Sequence, residues 1–284
     1  MSKTFAVQEY SSPLETAREW SLRTGLRLLC LTLVLLNTAC STMNISSQPP
    51  GDGVWIDLGR STATMKALKD PRTWMPAAAA VLIASTDTDQ KISDWAAEHT
   101  PIYGSQSAAQ AASDNLRTVL ASSAVVTSVM APGKPDALLP GRPGSLATAS
   151  MAALATSQVT GALKDSTDRE RPNGVDERSF PSSHTAAAST YATLSAQRVD
   201  NMALSLTQRR RLKTGFHVVA AATAWARVEA QAHYPVDVLM GLALGNFTAV
   251  LMQESLQSSQ RPVWFVIDRD RTTDTFLFQV GWPF

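Results

Sequence analysis

At 284 residues the chain is long enough for one large domain or two small ones, either with a sizeable buried core. A formal net charge of +1 gives no long-range attraction for nucleic acid or for an acidic partner. Charged residues make up 17%, below the usual quarter, and alanine, serine and threonine are abundant, a mixture that suits closely packed helices more than a β-sandwich.

The N-terminus comes first. Arg18, Arg23 and Arg27 precede the apolar run "LLCLTLVLL" at 28–36, which is followed by "NTAC" ending at Cys40. A basic flank, a short apolar core and small residues form a secretory signal pattern. The run is well short of the about 20 residues that span a bilayer. It resembles a bacterial lipoprotein signal, in which the cysteine after the small residues is lipidated and becomes the first residue; Asn37 stands where that signal usually has leucine. Plain cleavage and an uncleaved N-terminal anchor are the other readings. The only cysteines are Cys30 and Cys40, so cleavage before Cys40 leaves no pair for a disulfide, and lipidation accounts for the one that remains. The expectation is a signal over 1–40, a polar Pro-, Gly- and Ser-rich tether over 41–60, and a domain over 61–284 on the periplasmic side of a bacterial envelope.

In the body, helical patterns fall at 75–85, 89–98, 106–130, 146–165, 184–199, 206–229 and 236–257, separated by breakers. The loop "APGKPDALLPGRPG" at 131–144 is too rich in proline and glycine for regular structure. Residues 143–163 and 238–253 carry no charge, but both are filled with Ala, Ser, Thr, Gly, Gln or Asn. With a mean hydropathy of −0.06, they predict a soluble, tightly packed helical domain, not a polytopic membrane protein. In the tail, "VWFVI" and "TFLFQV" flank a charged turn and alternate as a small β-hairpin would. The expected fold is all-α, a compact multi-helix bundle with a C-terminal hairpin.

Three segments concentrate chemistry. In "KDSTDRERP" (164–172), Lys164 and Arg171 are two helical turns apart and share a face if the helix persists, while Pro172 biases Arg171 towards the helix end. In "SFPSSHTAAAS" (179–189), Ser182 and His184 stand at the mouth of a helix, where free N–H groups make an anion site. In "ARVEAQAHYPVD" (226–237), Pro235 fits the first position of a new helix. That puts His233 just before it and Asp237 in its first turn. There the carboxylate is favoured and is positioned to hold one imidazole nitrogen while the other acts as nucleophile or base. His99 and His217, at a helix exit and on an apolar run, read as structural. Gly241 and Gly245 read as close helix packing. "DTD" at 87–89 lacks the rest of a calcium loop, and no Cys/His cluster has metal-ligand spacing.

Together the segments resemble the signature of the type 2 phosphatidic acid phosphatase superfamily, which shares its fold with vanadium haloperoxidases. Lys164, Arg171 and Pro172 match Lys, six residues, Arg-Pro. Pro181, Ser182 and His184 match Pro-Ser-Gly-His, with Ser183 replacing glycine. Arg227, His233 and Asp237 match Ser-Arg, five residues, His, three residues, Asp, with Ala226 replacing serine. The resemblance covers a catalytic core of about 143–250. It implies a phosphatase that needs no metal or other cofactor. His233 attacks phosphorus to give a phosphohistidine, and Asp237 orients it. His184 protonates the leaving oxygen and then activates water. Lys164, Arg171 and Arg227, with Ser182 and the N–H groups near Ser183, hold the phosphate. The implied substrate is a lipid phosphate, a polyprenyl diphosphate or a soluble monoester. Two other readings remain: a non-catalytic envelope lipoprotein that keeps the fold for binding, and a vanadium-dependent haloperoxidase with the same anion site.

Overall fold

The computed structural model describes residues 62–86, 88–133 and 140–257, together with the backbone of two C-terminal strands. The signal, Cys40 and the tether lie outside the described residues. Eight helices follow in order: α1 Thr62–Lys69, α2 Pro71–Ala84, α3 Thr88–His99, α4 Gln106–Met130, α5 Gly141–Thr167, α6 Ser183–Val199, α7 Leu206–Glu229 and α8 Pro235–Gln257. The strands β1 Trp264–Asp270 and β2 Thr275–Gly281 pair antiparallel, and their connecting turn is outside the described residues.

Local signals set most of these boundaries. Asp70 caps α2 ahead of Pro71, Ser105 caps α4, and Ser205 with Gln208 forms a capping box on α7. The largest differences from the sequence reading are the start of α2, at Pro71 and not 75, and the two ends of α5. Helix α5 begins at Gly141, inside the Pro/Gly-rich loop, because Pro143 falls in the first turn, where its missing N–H costs nothing. At its other end α5 stops at Thr167, where Asp168 turns left-handed at φ 43°. The helix therefore does not persist to Arg171, and Lys164 and Arg171 do not share a helical face. The short α1 was not expected; it packs on α8, where Lys66 pairs with Glu254 at 2.7 Å.

Helix α6 is central, packed by α4, α5, α7 and α8, while α2 lies on the far side of α8. Small residues make this possible. A Cβ on Gly245 would stand 2.1 Å from the Ala186 carbonyl oxygen, and one on Gly241 would stand 2.7 Å from that of Ser182. The α6 and α8 backbones touch, as the two glycines suggested. Buried hydroxyls bond to helix carbonyls and across helices: Thr190 reaches Gly245 at 3.2 Å, Ser189 reaches Leu242 at 2.7 Å, and Thr193 meets Asn246, which donates to Thr73 of α2. Among the described residues one helix, Pro235–Leu256, is long and apolar enough to cross a membrane, and 61% of its window is buried in this core. The α6–α8 contact brings the first turns of both helices together, and the site forms there.

Candidate active site

The site gathers the end of α5, the loop 168–182, the mouth of α6, the end of α7 and the start of α8. Main-chain bonds fix the assembly: Ser182 N–H donates to Asp237 O at 3.0 Å, and Asn173 N–H to Gln231 O at 3.1 Å. His233 lies just before α8 and is 2% exposed. Its Nδ1 is 2.7 Å from the Ser179 carbonyl oxygen. A carbonyl only accepts, so Nδ1 carries the proton and Nε2 keeps a lone pair. Burial pushes the ring's pKa down to about 4, so it is neutral near pH 7.

Asp237 lies in the first turn of α8 with no exposed surface. One oxygen accepts from Arg169 at 2.6 Å; the other accepts from Ser179 Oγ at 2.6 Å and Tyr234 N–H at 2.9 Å. The latter oxygen is 3.9 Å from His233 Nδ1. The imidazole's direct hydrogen bond is therefore to the Ser179 carbonyl, because the carboxylate is already engaged, and Asp237 acts on the ring as a nearby charge. Burial works to raise the Asp237 pKa, but Arg169 and the Ser179 hydroxyl hold it at about 2.

Three cations, Lys164, Arg171 and Arg227, lie near His233. Lys164 donates to the Arg178 carbonyl; burial, then repulsion from Arg171, lowers its pKa to about 8. Arg171 is tied to Asp176 at 2.6 Å and reaches the Ala232 carbonyl at 3.3 Å. Arg227, at the end of α7, donates through one terminal nitrogen to Gln110 Oε1 at 2.6 Å and Ser113 Oγ at 3.3 Å. Burial and then Arg171 bring its pKa down to about 10, which leaves it charged at neutral pH. Arg171 depresses the pKa of both other cations. Arg227 Nε is buried in the structure with no hydrogen-bond partner among the described residues.

At the mouth of α6, Ser182 is fully buried and its hydroxyl caps the helix through Thr185 N–H. Ser183 is half-buried, and its N–H and that of His184 have no partner among the described residues. His184 Nε2 lies 2.8 Å from Asp114 Oδ1. The remaining histidines sit elsewhere: His99 stacks on Trp95, and His217 meets Arg72 at 2.8 Å. Among the described residues no group of three or more His, Cys, Asp or Glu is placed to hold a metal ion.

Residues 144–261 match the family model of the PAP2 superfamily. The match takes in the three segments that hold Lys164, Arg171, Ser182, His184, Arg227, His233 and Asp237. Among solved structures, the chain is similar to a transmembrane PAP2-type phosphatidylglycerolphosphate phosphatase from Bacillus subtilis, with a TM-score of 0.50 and 17% identity over 68% of this chain and 95% of that one. That likeness is one of fold. LpxE of Aquifex aeolicus aligns with a TM-score of 0.32 and 24% identity over 38% of this chain and 66% of that one. No curated protein matches the chain.

The PAP2 match begins after α4, yet α3 and α4 supply part of the site. Asp89 of α3 accepts from Arg169 at 2.6 Å and from Val236 N–H at 2.9 Å. Gln110, Ser113 and Asp114 of α4 contact Arg227 and His184. Sequence reasoning missed all of these. The α4 residues had a legible signal: Gln110, Ser113, Asp114 and Arg117 recur at helical spacing on an otherwise Ala-, Ser- and Val-rich helix.

Proposed function

We propose that the chain is a phosphoric ester hydrolase working through a phosphohistidine on Nε2 of His233. The carrying observation is the buried, unpartnered Arg227 Nε, with Lys164 and Arg171 also near an imidazole whose Nε2 keeps its lone pair. Phosphoryl transfer asks for positioning and charge compensation, and these groups supply both. His233 Nε2 attacks phosphorus, the P–O ester bond breaks, and the leaving oxygen takes a proton from His184. Water then gives its proton to His184 and attacks phosphorus. The P–N bond breaks, and the electron pair returns to Nε2. The phosphorylated ring is cationic while Nδ1 keeps its proton, and Asp237 at 3.9 Å stabilises that charge. Lys164, Arg171, Arg227 and the Ser183 and His184 N–H groups hold the phosphoryl oxygens. The Ser182 hydroxyl, spent on the cap, serves them by fixing the helix mouth.

The favoured substrate is a phosphate ester borne by a lipid. Helix α2 leaves Trp74, Met75, Val81 and Leu82 exposed on one face, and single exposed apolar residues are common but a row of them marks an interaction surface. Purified protein offered phosphatidate in micelles and soluble monoesters is expected to hydrolyse the lipid phosphate faster, with inhibition by vanadate. Vanadate that instead switches on bromide oxidation would identify a haloperoxidase, and inertness towards every ester would leave the non-catalytic reading.

The same reading places the protein at the bacterial envelope, tethered through Cys40. Two acyl chains give stable anchoring where one gives marginal binding. Labelled fatty acid is expected on the wild type and absent from Cys40→Ser; label persisting on that variant would rule the tether out.

A further inference from the structure

We propose that Asp114 of α4 is the positioning residue of the general acid: it holds His184 Nε2–H and leaves Nδ1 to protonate the leaving oxygen. The inference rests on the phosphatase reading above. An ionised carboxylate only accepts, so at 2.8 Å from Asp114 Oδ1 the Nε2 atom carries hydrogen. The proton given up in the first step is then the one on Nδ1.

The carboxylate is itself held. Gln110 Nε2 donates to Asp114 Oδ2 at 3.2 Å, while Gln110 Oε1 accepts from Arg227 at 2.6 Å. One amide thus sets the spacing between the acid's carboxylate and a phosphate-binding arginine, and both rest on one face of α4.

A charge is needed here, not only a hydrogen bond. The charged groups acting on His184 are Arg227 of α7 and Arg117 and Asp114 of α4. Burial, then Arg227 and Arg117, favour the neutral ring, which has no proton to give. Asp114 is the group that opposes them. Its side chain is 45% exposed, so replacing it leaves no buried orphan, and its removal acts on the acid rather than on the core.

The test uses the full-length protein in three measurements. The His184 ring, identified by the signal lost in His184→Ala, is titrated by NMR in the wild type and in Asp114→Asn. The burst of enzyme phosphorylation is followed with an alkyl phosphate and with nitrophenyl phosphate, and each is repeated in a His184→Ala background. Asparagine keeps an acceptor for Nε2–H and deletes the charge. Asp114→Asn is expected to lower the His184 pKa and move the alkaline limb of the alkyl-phosphate burst to lower pH. At neutral pH it should slow that burst about 10-fold, part of the roughly 10²–10⁴-fold that a positioned acid contributes. Nitrophenolate leaves without help, so its burst should change by less than about 2-fold. In the His184→Ala background Asp114→Asn should add no further loss. An unchanged His184 titration, equal losses for the two esters, or a loss that adds to that of His184→Ala would each overturn the assignment. A wild type that cleaves neither ester would overturn the phosphatase reading instead.

Discussion

His233→Ala is expected to abolish the phosphoenzyme and to reduce turnover by on the order of 10⁴-fold or more, as loss of an attacking group does elsewhere. In the wild type, acid quenching destroys the adduct and alkaline quenching preserves it, since a phosphoramidate is acid-labile and base-stable. The variant should show no phosphate after an alkaline quench. Trapped phosphate that survives the substitution would move the nucleophile elsewhere. The imidazole also supports the fold through its bond to the Ser179 carbonyl, so the variant loses roughly 1–3 kcal/mol of stability. That is too little to explain a loss of activity in protein that still melts cooperatively. The pH dependence has a defined sign. The folded pKa of His233, about 4, lies below its ordinary 6.5, so folding favours the neutral ring. The associated stability is complete above pH 6.5 and is eroded as pH falls through about 4. His233 therefore keeps its Nε2 lone pair through the mildly acidic range. At the other end, Lys164 loses its charge as pH rises through about 8, and phosphate binding should weaken there.

The helices were legible because this chain punctuates them. Residues 106–130 and 206–229 coincide with α4 and α7 since Ser105 and Ser205 begin them. The spacing of Arg227, His233 and Asp237 was legible for the same reason: Pro235 fixes where α8 starts and thus which residues precede and open it. The left-handed turn that follows α5 was not, because nothing in "KDSTDRERP" announces it at Asp168. That turn carries Arg169 inward beneath the site, where its neighbours come from 80 and 68 positions away. Such pairings follow from how α3, α5 and α8 pack, and no local pattern encodes them. "DTD" lacks the rest of a cation loop, and its second aspartate is an ion-pair partner of Arg169. The geometry of Asp237 was hidden in the same way: its place near His233 follows from spacing, but its partners follow from the fold.

Arg169→Met is expected to destabilise the protein by about 3–5 kcal/mol, the usual cost of leaving a buried ion-pair partner uncompensated. Arg169 is 7% exposed, bridges Asp237 and Asp89 at 2.6 Å each, and stacks its guanidinium 4.3 Å from the centroid of Tyr234. Methionine fills similar volume and keeps the apolar contact, so the main loss is charge. Burial already raises the Asp89 pKa with Arg169 present; without it, both carboxylates face burial with the cation between them gone. In the wild type, Asp237 at about 2 sits below its ordinary 3.8, so it contributes stability above pH 3.8 that is lost as pH falls through about 2. In Arg169→Met the sign reverses: carboxylates with raised pKa values are costly when ionised, and protonation relieves them. The gap in melting temperature between variant and wild type should therefore narrow on acidification. Arg169→Met with Asp89→Asn should recover part of the loss at neutral pH by removing one of the two stranded charges. Arg169→Lys should not match the wild type, because one ammonium lacks the fork that serves two carboxylates at once. A variant as stable as the wild type, or a deficit that does not change with pH, would show that the Asp89–Arg169–Asp237 bridge is not what fixes the loop under His233.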